Sequence, residues 1–155
     1  MRLVIYGLIF LTVAFFVFGF YRNWRTQNSP NEKIFLAGKI PKDLLDGFYK
    51  GKVAGLKTNW QGKVFHSKLQ KGANIFGTGV KKQEVFPFKT YVGKGIADKN
   101  LDVVKIDYNI PQNPLWLRSI LDEVVETSKN HFLGKLNIRI FPGLSFAMGY
   151  FTLTQ

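Results

Sequence analysis

The sequence predicts a mainly β protein, in which an N-terminal transmembrane helix is followed by an antiparallel β-barrel with one short helix. Two observations predict this arrangement. Residues 3–20 carry no charged side chain, as expected of a helix in lipid. Beyond residue 46, apolar side chains recur with a period of two between glycine-containing turns, and Phe, Tyr, Val and Ile are frequent. That period is typical of strands.

The N-terminal segment is predicted to be a membrane anchor. A spanning helix needs about 20 mostly apolar residues, and Tyr21 and Trp24 follow the apolar run where an interfacial aromatic belt would lie. A cleaved signal peptide is the alternative, but its cleavage site has small residues, whereas this segment ends in VFGFYRNW. A buried soluble helix is disfavoured because no face is polar. We therefore expect a single-pass membrane protein held by residues 3–21.

The side of the membrane on which the domain lies is left open. Arg2 precedes the apolar run and Arg22 and Arg25 follow it, so the positive-inside rule barely favours a cytoplasmic domain. A short signal-anchor with a basic first residue would equally export the domain. Arg22 and Arg25, with Lys50 and Lys52 of the first predicted strand, are candidate contacts with the membrane surface.

The chain is predicted to divide into an anchor (1–25), a linker and lead-in segment (26–45) and the barrel domain (46–155). The linker prediction rests on TQNSPN at 26–31, which is polar and turn-prone. Residues 47–97 hold ten lysines and one acid, whereas acids and bases balance in 98–155. We expect attraction to anionic headgroups; a lysine face kept for solubility is the alternative. Nucleic acid is not an expected partner, because the lysines are spread singly and no recognition motif accompanies them.

Four runs carry the strand pattern most clearly. GFYKGKVAG alternates Tyr49 and Val53 with Lys50 and Lys52, and LDVVKIDYNI alternates in the same way. In residues 84–97 the alternation continues, and Pro87 indicates an edge or a bulge. LSFAMGYFTLTQ is apolar on both faces, as in a strand packed on both sides. Several short strands at this spacing favour a sandwich or a barrel.

Residues 106–138 contain charged side chains among large apolar ones. Asn113 can cap a helix and Pro114 suits its first turn, so NPLWLRS is predicted to form a short helical turn. A three-residue turn at 128–130 would pair two strands. The expected partners are Thr127 with His131, Val125 with Leu133, and Glu123 with Lys135.

Asp122 is the most unusual residue of this region. In the expected register it shares a face with Ile120 and Leu136, where a carboxylate is costly unless a partner meets it. Arg118 is the natural candidate for that partner. Two interpretations stay open: an Arg118–Asp122 pair that plugs one end of the barrel, and a pair that contacts a ligand.

Several short motifs follow one another through residues 46–153: DGFYKG, NWQGKVF, NIFGTG, IDYN, a short proline-containing helix, ILDE, FLGK and GYFTL. Their order resembles that of small calycin-like barrels, the lipocalin and fatty-acid-binding class. It is especially similar to GXWXG/DUF4334-type domains, with Phe48 and Tyr49 where that pattern has tryptophan. The resemblance implies a barrel that holds a small apolar molecule, and it implies no reaction. A barrel of about eight strands is either filled by side chains or holds one small ligand.

Binding of a lipid or other apolar small molecule near the bilayer is the favoured function. The candidate ligand contacts are Trp60, Tyr108, Trp116, Arg118 and Asp122. One alternative is a membrane-tethered interaction or assembly domain with a filled barrel. The other is an enzyme that divides acid and base roles among Asp107, Asp122 and Glu123.

Other chemistry is not predicted. Cysteine is absent, which excludes disulfides, a thiolate zinc site and a cysteine nucleophile. Neither His66 nor His131 has a second metal ligand nearby in sequence, and the glycine–lysine pieces lack P-loop spacing. We therefore predict no catalytic residue, metal or cofactor.

Overall fold

The computed structural model describes residues 1–53 and 58–155. In this part of the chain, eight antiparallel strands form a closed barrel, in which each strand pairs with its neighbours along the chain and the last pairs with the first. The strands are β1 (Gly47–Val53), β2 (Trp60–His66), β3 (Lys71–Phe76), β4 (Gln83–Lys94), β5 (Asp102–Asp107), β6 (Ile120–Ser128), β7 (His131–Phe141) and β8 (Leu144–Thr154). The predicted mainly β fold is confirmed. Lys57, one of the lysines counted above, lies outside the described residues.

Because neighbouring strands run in opposite directions, successive connections lie alternately at the two ends of the barrel. At the end that we call the mouth, β1, β3, β5 and β7 finish and β2, β4, β6 and β8 begin. Residues 77–82, 108–119 and 142–143 connect strands there. At the other end, the base, the connections are 67–70, 95–101 and 129–130. Residues 38–46 lead into β1 at the base and place Leu45 against the barrel interior.

Aromatic side chains fill the base half of the barrel. The Tyr49 ring meets those of Phe65 and Phe132 edge to face, with centroids 5.4 Å apart in both pairs. Phe88 and Leu153 are buried in the same cluster. Edge-to-face packing of this kind is favourable beyond the area that it buries, so the base half is a packed core.

The N-terminal helix, α1 (Arg2–Gln27), is long and apolar enough to cross a membrane. Its second half packs on the outer face of β8. The rings of Phe16 and Phe20 lie 6.2 and 5.0 Å from the ring of Phe146. Gly19 permits this approach, since a Cβ there would come within 2.4 Å of the same ring.

Polar contacts continue along this helix. The Asn23 side chain accepts a hydrogen bond from the Ala147 amide at 2.9 Å, and the Arg22 guanidinium donates to the Met148 carbonyl. Because later residues of α1 meet later residues of β8, the two elements run in the same direction. Residues 2–15 therefore project beyond the mouth of the barrel.

A second helix, α2 (Pro30–Ala37), lies in the segment predicted to be a linker. It packs on the outer face of the barrel through the buried Phe35. Lys135 binds Glu32 at 2.8 Å, and its ammonium lies 4.2 Å from the centre of the Phe35 ring. The Tyr150 hydroxyl also donates to Glu32. Burial, followed by the Glu32 carboxylate, raises the pKa of Tyr150. As predicted, β8 is covered on both faces.

The β6–β7 register confirms two of the three expected pairs, Val125 with Leu133 and Glu123 with Lys135. The third is wrong, because Ser128 rather than Thr127 lies opposite His131. Asn130 has φ of 61°, so a two-residue turn joins the strands, and Asn suits the left-handed conformation. A bulge after Glu126 takes up the extra residue.

The charged side chains of that register point to other partners. Lys105, on β5, binds Glu123 at 2.5 Å, whereas Lys135 binds Glu32 of α2. The expected contact between Glu123 and Lys135 therefore exists in the backbone register and not between the charges.

The predictions for Pro87 and for the short helix are confirmed, with one correction. The β3–β4 register shifts beside Pro87, where Phe86 has φ of 54°, so this is a bulge. The short helix, α3, spans Leu115–Arg118. Asn113 does not cap it: the side chain instead donates to the carbonyls of Pro87 and Tyr108, at 2.7 and 2.8 Å.

Candidate ligand-binding site at the barrel mouth

A cavity of about 250 Å³ occupies the mouth half of the barrel. Small-molecule sites usually measure about 300–1,000 Å³, so the space suits one small molecule or one end of a longer one. Its apolar wall comprises Val53, Trp60, Phe76, Phe86, Leu117, Ile120, Leu136 and Phe151. The polar lining comprises Thr58, Lys63, Asn74, Tyr108 and Asp122.

A larger recess of about 580 Å³ lies at the base, beside residues 39–45. None of the buried polar or charged residues of the described chain lines it. The mouth cavity, in contrast, combines apolar walls with a few convergent polar groups, which is the usual composition of a ligand site.

Two pairs of neighbouring strands, β2 with β3 and β5 with β6, bring the polar groups together. Lys63 lies on β2, Asn74 on β3 and Asp122 on β6, while Tyr108 directly follows β5. The Lys63 ammonium lies 3.1 Å from Asp122 Oδ2 and donates to Asn74 Oδ1 at 3.0 Å and to the Tyr108 hydroxyl. Asn74 donates to Tyr108 at 2.9 Å and accepts a hydrogen bond from the Trp60 indole at 3.0 Å.

Burial makes this cluster electrostatically unusual. The side chains of Lys63 and Asp122 are each 3% exposed. Burial opposes the ammonium charge, but Tyr108 and Asp122 outweigh it, so the pKa of Lys63 is raised. Burial also raises the pKa of Asp122, an effect that Lys63 only partly offsets. The pKa of Tyr108 is likewise raised by burial, so its hydroxyl stays protonated.

One carboxylate oxygen of this cluster has no hydrogen-bond partner among the described residues. Asp122 Oδ2 meets Lys63 and Tyr108, whereas Oδ1 is buried and has no hydrogen-bond partner among the described residues. An unsatisfied buried polar atom costs about 1–3 kcal/mol, and more when it is charged. A bound molecule that donates an O–H or N–H would remove that cost.

The structure brings together three of the five predicted ligand contacts, since Trp60, Tyr108 and Asp122 line the cavity. Trp116 lies outside the cavity, 64% exposed, with its ring 6.1 Å from that of Phe86. Arg118 is also outside the cavity.

The predicted Arg118–Asp122 pair is wrong. Arg118 donates to the carbonyls of Asn113 and Pro111, at 2.8 and 2.7 Å, and so holds the loop before α3. The cation that meets Asp122 is Lys63, which sequence reasoning missed together with Asn74. A signal was present, because Lys63 shares strand parity with the buried Phe65.

The other carboxylates do not join this site. Asp107 binds Arg139 at 2.7 Å, and Glu123 binds Lys105 at 2.5 Å. Adjacent strand residues point to opposite faces, so Glu123 lies outside the barrel and Asp122 inside. Each carboxylate thus has its own cation, and the three do not converge.

The environment of Asp107 lowers its pKa. Burial would raise it, but the hydrogen bonds from Arg139 and from the Asn109 amide, with the charge of Lys89, outweigh that effect. Within residues 1–53 and 58–155, no three His, Asp or Glu side chains are grouped so that they could hold a metal ion.

The candidate membrane-surface residues occupy two places. Arg22 is half-buried against β8, and Arg25 is exposed in the last turn of α1. Lys50 and Lys52 are exposed on the outer face of β1.

The architecture defines a closed eight-stranded antiparallel barrel that carries an apolar helix of membrane-spanning length on its wall. Comparison of the chain with protein-family models, with curated protein sequences and with solved structures gives no match.

Proposed function

We propose that this protein is a membrane-anchored barrel that binds one small, mainly apolar molecule, or one end of a lipid, in the mouth cavity. The observation that carries the proposal is the mouth cavity itself, in which apolar walls surround a buried polar cluster whose Asp122 Oδ1 has no hydrogen-bond partner among the described residues. A buried Lys63–Asp122 pair does little for stability compared with apolar residues of the same size. Its presence in a cavity is more typical of a binding site.

Membrane anchoring is supported by the exposure of α1. Residues 3–20 rise about 27 Å at ~1.5 Å per residue, close to the ~30 Å hydrocarbon core of a bilayer. Only 6% of the apolar window of the helix is buried against the protein, so lipid would cover the rest. Removal of the segment as a signal peptide would uncover Phe146, which Gly19 and Phe20 shield.

The charge balance of the cavity indicates the kind of ligand. Lys63 and Asp122 already neutralise each other, so a carboxylate or phosphate would compete with Asp122 for the ammonium and leave a buried charge unpaired. A neutral hydroxyl or amide can donate to Oδ1 without adding charge. A long-chain alcohol or another neutral lipid with a free hydroxyl fits this requirement. The resemblance to calycin-like barrels agrees with an apolar ligand.

The test is native mass spectrometry of the full chain, purified in detergent without added ligand, followed by organic extraction. We expect a one-to-one adduct that is extracted as a neutral, hydroxyl-bearing lipid. Long-chain alcohol added to the protein should bind, and the fatty acid of the same length should bind much more weakly.

The matched variant is Leu136→Phe, which adds volume to the cavity wall. This variant should keep the fold by circular dichroism and lose the adduct. If wild-type protein carries no lipid and binds no added alcohol, ligand binding is refuted. The exposed Leu115 and Trp116 would then favour the interaction domain, whose partner should bind Leu136→Phe equally well.

A further inference from the structure

We infer that the mouth of the barrel lies in the interfacial layer of the bilayer that α1 spans, so that the cavity opens toward lipid instead of water. The inference rests on the membrane anchoring proposed above. Four exposed apolar side chains of the mouth, which we call the apolar rim, would then contact lipid: Val80, Leu115, Trp116 and Phe141.

The first argument is the place where the barrel is attached to α1. Crossing ~30 Å of hydrocarbon takes nearly the whole run of residues 3–20. Phe16 and Phe20 both contact Phe146. Phe146 therefore lies level with the last turn or so of the spanning segment, about 6 Å in height at ~1.5 Å per residue. The barrel cannot stand away from the bilayer as a domain on a flexible linker would.

The direction of β8 brings the mouth still nearer to the lipid. β8 runs in the same direction as α1, and it begins at Leu144, two residues before Phe146. At ~3.4 Å per residue its first residue can lie up to about 7 Å closer to the hydrocarbon than Phe146. Phe141 precedes β8 in the same hairpin, so its exposed ring is placed at lipid depth.

The composition of the mouth is the second, independent argument. Leu115 is 80% and Trp116 64% exposed, and large apolar side chains exposed together usually mark an interaction surface. Tryptophan is enriched at the membrane interface. Three of the rim side chains come from the connections 77–82 and 108–119, and Phe141 ends β7. The three described mouth connections contain Lys81, Lys82 and Arg118 but no acid. Such a surface suits a bilayer that contains anionic lipids.

The base of the barrel differs. Its connections contain Lys68, Asp98, Lys99 and Lys129, and so carry charges of both signs. Leu69 in the connection 67–70 and Leu44 in the lead-in segment are the large apolar side chains that are exposed in the described segments of the base. An apolar mouth with basic residues and a mixed-charge base are expected if only the mouth meets the membrane.

This placement gives the ligand a route. Lys63, Asn74 and Asp122 lie two or three residues inside the strand ends, Tyr108 directly follows β5, and the apolar rim lies at or beyond the strand ends. A single-chain lipid can enter with its hydroxyl toward Asp122 while its tail stays in the bilayer. The cavity of about 250 Å³ needs to hold only the polar end and the first part of the chain.

Because the sequence contains no cysteine, a single introduced cysteine can be labelled selectively. The full chain is labelled with an environment-sensitive fluorophore at Leu115→Cys in the rim, Leu69→Cys at the base or Ile9→Cys in α1, all exposed positions. Each variant is placed in nanodiscs of phosphatidylcholine and phosphatidylglycerol. Quenching by acyl-chain-brominated lipid reports contact with hydrocarbon, and quenching by iodide reports contact with water.

We expect the Leu115 probe to be quenched by brominated lipid and to be several-fold less accessible to iodide than the Leu69 probe. If it is as accessible as the Leu69 probe while the Ile9 probe is quenched by lipid, the placement of the mouth is overturned and the anchor stands. If brominated lipid does not quench the Ile9 probe, anchoring fails and the inference fails with it. Ligand binding is measured separately, so its failure is distinguishable from both.

Discussion

Replacing both members of the buried Lys63–Asp122 pair should leave the protein at least as stable as it is now, whereas replacing either one alone should destabilise it. The pair is sealed from solvent, with each side chain 3% exposed. Lys63→Met strands a carboxylate and Asp122→Leu strands an ammonium, so each should lower the free energy of unfolding by about 3–5 kcal/mol. The double variant should be unchanged or stabilised by about 1–4 kcal/mol.

The surroundings of the pair support the prediction for the double variant. Asn74 keeps its bonds with Trp60 and Tyr108 at 3.0 and 2.9 Å. Tyr108 loses the hydrogen bond from Lys63 and a long 3.5 Å bond to Asp122, the second of which is weak at that distance. The double substitution also removes the unpaired Oδ1, and with it the proposed attachment point of the ligand.

The assay is denaturant-induced unfolding of the full chain in detergent micelles, followed by tryptophan fluorescence. The matched control is the surface pair of Lys94 and Asp102, 2.9 Å apart and roughly half exposed, where single substitutions should cost less than about 1 kcal/mol. If the two buried single substitutions cost as little as the surface ones, or if their losses simply add in the double variant, the reasoning is refuted. The double variant should also lose bound lipid while it keeps its fold.

Three further outcomes are expected. Glu32→Gln removes the anion that meets Lys135, so it should lower the free energy of unfolding by about 3–5 kcal/mol and expose residues 28–38 to limited proteolysis. Undiminished stability would contradict the role of the Glu32–Lys135 contact in holding α2 on the barrel. Gly19→Leu should cost about 1–3 kcal/mol in thermal unfolding through overpacking against β8, whereas Gly7→Leu, where nothing lies within 4 Å, should be neutral; equal effects would contradict the docking of α1. For Asp107→Asn the sign follows from a folded pKa below the ordinary 3.8. The stability advantage of wild type should be constant above about pH 5 and should shrink as pH falls below about 4; an advantage that grows on acidification would contradict the Arg139 contact.

The strands could be predicted from sequence because a barrel wall needs apolar side chains on its inner face at every second residue. The run at 84–97 became β4 and that at 101–110 contained β5. Local pairing was also predictable, since Val125 meets Leu133 across a tight turn. The sequence prediction missed α2 because residues 26–31 are polar and turn-prone, although Ser29 before Pro30 is a common helix start.

The candidate site was predictable only in part. Asp122 stood out because a carboxylate on an apolar strand face needs a partner. Its actual partner, Lys63, lies four strands away around the barrel and belongs to the lysine-rich region that was interpreted as a surface facing headgroups or solvent. Barrel closure brings these residues together, and local spacing carries no information on closure. Arg118 was chosen for its nearness along the chain.

The position of β8 has a consequence for folding. It pairs with β7 and closes the barrel against β1, and both α1 and α2 pack on its outer face. The seam joins distant parts of the chain, for example Lys50 and Thr154, and such high contact order slows folding. Until this strand is in place, β1 and β7 are unprotected edges that can pair with other chains. Deletion of β8 should therefore produce an aggregating sheet instead of a smaller barrel.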